Sequence, residues 1–394
     1  MRFATLEVWQ KDWKKAPKSD RSISGPTETD EAMRKTLYIH IGHFKTGTTA
    51  IQVFLARNPK LLKRHDLVFA QTKQEHCKHS DLACSLYQAA GVTELMHGYA
   101  KDETPQQVWA ALFEELRASR RSGMIVSTEE LMRLACFPQA VEDLKQIVAT
   151  APDIDIKVIA YLRAPESHLR SWYNQLVKMG CKTPSFNAAI SDRFEPIHYD
   201  YALALRPWID LFGAQSIILR HYSSESRKDN ALFRDFLSIF GIEMPDRGLS
   251  FLSEDPNPRI EGEALEVVRI MQNSGAADWA INATRDRFNR YFQQEQVEGF
   301  VRSGDAFEQV RRRTLGGLAQ LAQELPEFSE TLNQFRAQLP VQDAGPASEG
   351  WLFAGLLLAE VDTLRKGMHQ RNAELIARLE ALEAKLSAKG AKPE

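Results

Sequence analysis

A chain of 394 residues, 43% hydrophobic and 26% charged, has globular composition and enough apolar side chains to bury one large or two ordinary cores. Its formal net charge of −2 excludes a global electrostatic footprint for nucleic acid or an anionic membrane surface, so any anion site must be local. The four cysteines, Cys77, Cys84, Cys136 and Cys181, form no regular framework, no signal-type apolar core stands at the N-terminus, and the longest apolar run, Trp351 to Ala359, is too short to span a bilayer. The expectation is a cytoplasmic protein without a membrane span.

Residues 1–34 are polar and mixed in charge and are expected to form a disordered extension, with Met33 as an alternative start of translation. An α/β domain is expected over residues 35–260. It opens with Thr36 to Gln52, TLYIHIGHFKTGTTAIQ, where Leu37, Ile39 and Ile41 alternate as in a buried strand and Ala50 to Arg57 begins a helical pattern. Four more strands are predicted, Leu67–Ala70, Gly123–Ser127, Ile156–Arg163 and Ser216–Arg220, separated by helical stretches. That order implies crossover connections and a parallel sheet flanked by helices. Ligands of such sheets bind beyond the carboxyl ends of the strands. Those ends read His43 and Lys45, Ser127-Thr128-Glu129, Arg163 and Arg220. Residues 261–340 read as a helical region packed on this domain, and Val341 to Gly350 as a linker. Over 350–394, Val361, Leu364, Met368, Leu375, Leu379, Leu382 and Leu386 form a heptad-like stripe broken by Arg371. An amphipathic or coiled-coil helix is expected there, most simply a homodimer contact.

The turn after the first strand carries the chemistry. A Gly-bracketed loop that runs into a helix N-terminus aims backbone N–H groups and the positive end of the helix at one point, which favours a phosphate. Thr46, Thr48 and Thr49 add hydroxyls and Lys45 a cation. Gly42-x4-Gly47-Thr48-Thr49 nearly spells the nucleotide-triphosphate loop, yet Thr48 stands where that motif needs Lys. No predicted strand ends in the Asp that would hold magnesium, and two end in Arg, a set that suits an anionic donor handled without a metal. No metal site is expected: the cluster His76, Cys77, His79 and Cys84 matches no common zinc spacing.

With lysine inside it, the loop Ile41 to Gln52 resembles the 5'-phosphosulfate loop of sulfotransferases that use 3'-phosphoadenosine 5'-phosphosulfate (PAPS), especially the bacterial carbohydrate-type members. A second motif of that family, for the 3'-phosphate, is an Arg at a strand end followed eight residues later by Ser. Arg163 and Ser171, in Tyr161-Leu-Arg163-Ala-Pro-Glu-Ser-His-Leu-Arg-Ser171-Trp-Tyr-Asn174, have that spacing. The resemblance runs over roughly 36–245, through Tyr199 to Trp208, Phe212-Gly213, Arg220 and Phe233 to Leu237. Asn257-Pro-Arg259 departs from the Asn-x-Ser often found in the family.

The resemblance implies a P-loop-like α/β fold and transfer of a sulfuryl group from PAPS, with PAP as product, to a hydroxyl acceptor of the carbohydrate or glycolipid class. Lys45, Thr46, Gly47, Thr48, Thr49, Arg163 and Ser171 are then the expected donor-binding residues, with Lys45 also placed to neutralise the leaving oxygen. A hydroxyl acceptor needs a general base. Glu129 is the first candidate, although an acid in the first turn of a helix also serves simple capping. His43 competes with it. Glu130 is expected to cap or face water, and His79 to line the acceptor side. Trp172 and Tyr173 are expected to pack, Asn174 or Lys178 to face the cleft, and Arg220 either to reach the donor or to form a surface ion pair. Two rivals stay open: a nucleotide-triphosphate-dependent kinase or NTPase, and a non-catalytic PAP-binding protein that assembles partners through its C-terminal helix.

Overall fold

The computed structural model describes residues 34–95, 99–251, 260, 264–292, 305–342 and 349–390. Residues 1–33 of the expected N-terminal extension over 1–34, the segment Asn257-Pro-Arg259 and most of the linker lie outside the described residues. The chain divides into two compact units. The first comprises Met1–Trp172, Ile190–Pro258 and Gly304–Val341, and the second Tyr173–Ala189, Arg259–Ser303 and Gln342–Glu394.

In the first unit five parallel strands form one sheet: β1 (Lys35–Gly42), β2 (Leu67–Phe69), β3 (Gly123–Ser127), β4 (Ile154–Arg163) and β5 (Ile217–Tyr222), in the order β2-β3-β1-β4-β5. Side chains alternate across a strand, so a sheet covered on both faces needs apolar residues at odd and even positions alike. The strands meet that need. Met124 and Val126 of β3, with Val158, Ala160 and Leu162 of β4, enter one core, whereas Ile125, Ile159 and Tyr161 enter the other. The helices Thr48–Arg57 and Ala231–Ser238 cover the second face through Ile51, Phe54, Leu55 and Phe236. The helices Pro105–Ala118, Tyr201–Phe212 and Asp305–Glu324 supply Trp109, Leu112, Trp208 and Leu321 to the first. At about 1.5–3 kcal/mol for each large apolar side chain removed from water, the two cores supply most of the drive for this unit to fold.

From central β1 the chain moves out to β3 and β2 on one side and later to β4 and β5 on the other. The carboxyl end of β1 is therefore a switch point, the place where ligands of such sheets bind.

Three expectations change. β5 continues to Tyr222, so Arg220 pairs with Tyr161 inside the strand instead of ending it. Residues 261–340 are not one block: Asp305–Glu324 and Ser329–Arg336 belong to the sheet unit, and Ala264–Asn273 and Asp278–Phe292 to the other. The turn after β3 is a 3-10 helix, Glu129–Cys136, with no side-chain cap from Thr128.

In the second unit the helix Glu349–Gly390 lies against Ala264–Asn273, where Gly355 permits the approach: a Cβ there would stand 2.6 Å from Ile270 Cγ2. No helix among the described residues is long and apolar enough to cross a membrane.

Candidate functional site

The loop leaves β1 with a defined backbone shape. Gly42, Lys45 and Gly47 have φ of 88°, 63° and 81°. At Lys45, a residue with a Cβ, the left-handed region costs about 1–2 kcal/mol, strain of the kind that collects at ligand clamps. Three bonds hold the turn. His43 N donates to Tyr161 O of β4 (2.8 Å), Thr46 Oγ1 to His43 O (2.6 Å), and Ile51 N to Gly47 O (3.1 Å). The helix Thr48–Arg57 then starts with no acidic residue in its first turn, so its N-terminal field is not offset by a nearby carboxylate on that turn. Thr46 and Thr48 are buried, Lys45 and Gly47 half-buried, and Thr49 exposed.

Tyr222, which ends β5, joins the two motifs. A Cβ on Gly47 would stand 3.0 Å from Tyr222 Cε2 and 2.6 Å from Leu232 Cδ2, so the loop closes against this ring only because position 47 is glycine. The Arg163 guanidinium lies 5.9 Å from the centre of the same ring. Tyr201 Oη donates to Arg163 O (2.7 Å) and fixes the end of β4. Ser171, buried, follows on the helix Pro165–Lys178. The Tyr222 ring thus lies against the loop at Gly47 and 5.9 Å from the Arg163 guanidinium, with Ser171 on the helix that follows β4.

Glu129 approaches the loop from β3. Its Cβ would be 3.1 Å from a Cβ on Gly42, so the first loop glycine admits it. Gln52, buried in the loop helix, donates through Nε2 to Glu129 Oε2 (2.9 Å) and to Ser127 Oγ (3.2 Å). Burial, and then the charge of Glu130, push the Glu129 carboxyl up from the ordinary range. Glu130 behaves in the opposite way. Burial opposes its charge, but Lys78 Nζ at 2.7 Å and a hydrogen bond from Thr128 Oγ1 at 2.5 Å prevail and hold it below that range. It therefore neither faces water nor caps: it is a buried ion-pair partner that also accepts from Ser80 Oγ (3.2 Å). Two neighbouring carboxyls pushed apart in this way give one proton acceptor and one fixed charge.

His43 is placed differently from the expectation of a base. Its ring is fully buried, Nδ1 accepts from Phe44 N (2.8 Å), and Nε2 donates to Ile197 O (2.9 Å). Burial drives its pKa down to about 4. With its one lone pair taken by the Phe44 amide, the neutral ring has none to offer a hydroxyl. It serves instead as a wedge under the loop, with the rings of His168 and His198 4.3 Å and 5.2 Å away. His168 Nε2 and His198 Nδ1 share a 3.1 Å hydrogen bond, and both rings are held well below the ordinary histidine range by burial first and His43 next. One nitrogen from each of these three rings lies within 4.8 Å of the other two. A metal held by all three would have to break a His43 hydrogen bond.

The remaining expectations resolve locally. His79 is buried, with Nε2 donating to Ala70 O (3.0 Å) and Nδ1 accepting from Ser127 N (3.1 Å), so it pins the end of β3 and lines no surface. Trp172 stacks on His198 at 4.2 Å, and Tyr173 is buried with its hydroxyl 2.7 Å from Glu266. Asn174 is buried too, donating to Ile260 O (2.6 Å) and accepting from Ile260 N (3.3 Å), which corrects its expected place on a cleft. Lys178 lines a cavity of about 340 Å³ within the second unit, with Lys182, Gln272 and Arg285. Sequence reasoning missed Gln52, Lys78, Tyr222, His168 and His198. Only Gln52 left a signal, a polar residue on the apolar Ile51, Phe54, Leu55 side of its helix.

No family model matches the chain. An uncharacterized protein of Archaeoglobus fulgidus is 29% identical over 126 residues, a match that spans 31% of this chain and 31% of that protein. Among solved structures, the chain is similar to a sulfotransferase from Alicyclobacillus acidocaldarius, with 15% identity and TM-score 0.37 over 67% of this chain and 97% of the other. It is also similar to the sulfotransferase domain of the Synechococcus PCC 7002 olefin synthase, with 13% identity and TM-score 0.31 over 67% and 96%. A mouse sulfotransferase complexed with PAP aligns with 11% identity and TM-score 0.29 over 78% and 92%.

Proposed function

We propose that this chain transfers a sulfuryl group from PAPS to the hydroxyl of a carbohydrate or glycolipid acceptor. One observation supports the reading: Gly47 of the lysine-bearing loop and the Arg163 guanidinium both approach the Tyr222 ring, which suits two motifs that resemble a 5'-phosphosulfate loop and a 3'-phosphate clamp. The donor set fits such a ligand. It consists of backbone amides at a helix N-terminus, threonine hydroxyls, Lys45, Arg163 and Ser171, with no acid in the first turn of the loop helix. The acceptor class comes from the resemblance of these motifs.

When bound, the donor supplies the sulfuryl group and departs as PAP. Lys45 and the amides of Thr46 to Thr49 would receive the negative charge that grows on the leaving phosphate oxygen, stabilisation made before the reaction begins. Arg163 and Ser171 would hold the 3'-phosphate through a charge-assisted pair and a hydroxyl. Glu129 would take the acceptor hydroxyl proton, its raised pKa making it a stronger base than an exposed carboxylate. Gln52 orients that carboxylate, and Glu130, neutralised by Lys78, keeps the neighbouring charge fixed.

Calorimetric titration with PAP, paired with a labelled-PAPS transfer assay over hydroxyl acceptors, tests the reading. Binding that is lost in Arg163→Ala, together with transfer that is lost in Lys45→Ala, is the expected result. Magnesium-dependent ATP turnover with no PAP binding would replace this reading with a kinase or NTPase, and tight PAP binding without transfer to any acceptor would leave an assembly role.

A further inference from the structure

The helix Glu349–Gly390 carries a pattern that the loop chemistry does not use. Its base is held: Asp362, 1% exposed, accepts a hydrogen bond from Ala277 N (2.9 Å) and pairs with Lys366 (3.0 Å), while the Arg365 guanidinium stacks 3.3 Å from the Trp279 ring centre. Beyond that anchor, every described side chain from 363 to 386 is exposed. Val361, Leu364, Met368, Leu375, Leu379, Leu382 and Leu386 are each 55–70% exposed in the single chain. At about 100° per residue, Asp362 and Lys366 lie on the side of the helix opposite this stripe, so the anchor turns the apolar face outward.

From Met368 onward the stripe follows a heptad once its polar members are assigned, while Leu364 falls on g and Arg365 on the preceding a. Val361, Met368, Leu375 and Leu382 recur every seven residues at the d position, and Leu379 and Leu386 take a. Stepping back seven from Leu379 puts Asn372 at a, so the heptad runs on through the apparent break and Arg371 falls on the g flank. A single Asn at a, paired with its own copy across the axis, fixes register and a two-stranded state at some expense of stability. The flanking charges select direction. Position g carries Arg371, Arg378 and Lys385, and e carries His369, Ile376 and Glu383. In parallel chains g meets the partner's e five residues on, so Arg378 meets Glu383 twice by symmetry. In antiparallel chains g meets g, and three cations would face cations.

We infer that this helix forms a parallel, in-register, two-stranded coiled coil with a second copy of the chain from about Met368 to Leu386, joining two sheet units into a homodimer. Fewer than three heptads with one Asn layer make a weak zipper, with a dissociation constant on the order of micromolar.

Sedimentation velocity of the full chain from about 1 to about 100 µM tests this, with circular dichroism melts confirming the fold of every variant. A concentration-dependent dimer is expected, and Leu379→Asp with Leu382→Asp should be monomeric throughout with the sheet unit's melt unchanged. Arg378→Glu alone and Glu383→Arg alone should each raise the dissociation constant about threefold to tenfold, and the double exchange should restore it. A monomer at every concentration overturns the inference and leaves the stripe to another partner. A dimer that survives the two aspartates places the interface elsewhere. Failure of the double exchange to restore affinity overturns the parallel arrangement.

Discussion

The two halves of the proposed site are held in different ways. The loop half, Gly42 to Thr49, owes its shape to local backbone: three left-handed residues, one threonine hydroxyl bonded three residues back, and a helix start. The carboxyl half depends on residues remote in sequence, with Glu129 fixed by Gln52 and its neighbour Glu130 held by Lys78. Charge stabilisation that rests on backbone geometry tolerates change around it, whereas a tuned carboxyl is exposed to every substitution in its surroundings.

Removing the loop cation strains that contrast most. Lys45→Ala should lower kcat of PAPS-dependent transfer about a thousandfold, as loss of a group that meets developing charge does, with the thermal melt little changed. On the other side the first loss should be stability. Lys78→Met leaves Glu130 buried without its cation and should destabilise the first unit by about 3 kcal/mol in urea unfolding. The lowered pKa of Glu130 fixes the sign of the pH dependence: its contribution is present above the unfolded-state value and lost as pH falls through the folded one, so wild type and Lys78→Met should converge in acid.

Glu129→Gln should lower kcat about a hundredfold, within the usual range for a general base. The same change should stabilise the fold. Because the folded pKa of Glu129 lies above its unfolded value, the native state binds more protons between the two, and wild-type stability falls as pH rises through that window. The glutamine variant lacks this loss, so its melt should exceed wild type near neutrality and match it in acid. A variant less stable at neutral pH would show Glu129 to be a structural cap.

How much of this could be read from the sequence follows the same division. β3 was legible to the residue, because Gly123 and the polar Ser127-Thr128 bracket an apolar run, and the loop was legible because glycines, threonines and a helix start are consecutive. β5 was read two residues short. His221 is exposed and Tyr222 is polar-tipped, so hydrophobicity gave no reason to extend it, yet Tyr222 is the ring on which both motifs meet. His43 looked like a base because its loop position was visible and its burial was not. Only the fold brings Ile197, His168 and His198 around it, from more than a hundred residues away.

Gln52→Leu gives the smallest effect and the finest test of the remote side. The amide donates to the Glu129 carboxylate and so favours its ionised form. Leucine keeps much of the volume but withdraws that donor, and the folded pKa of Glu129 should rise further. A base must be ionised to act, so the acid limb of kcat/KM should move to higher pH, while the plateau falls only a few-fold as the carboxylate loses its orientation. PAP affinity should stay as in wild type, since the loop amides and Arg163 are untouched. If the limb stays in place while the plateau falls, Gln52 positions Glu129 without tuning it. If PAP affinity falls in step with the plateau, the two halves of the proposed site are not separable, because Gln52 then supports the loop as well as the base.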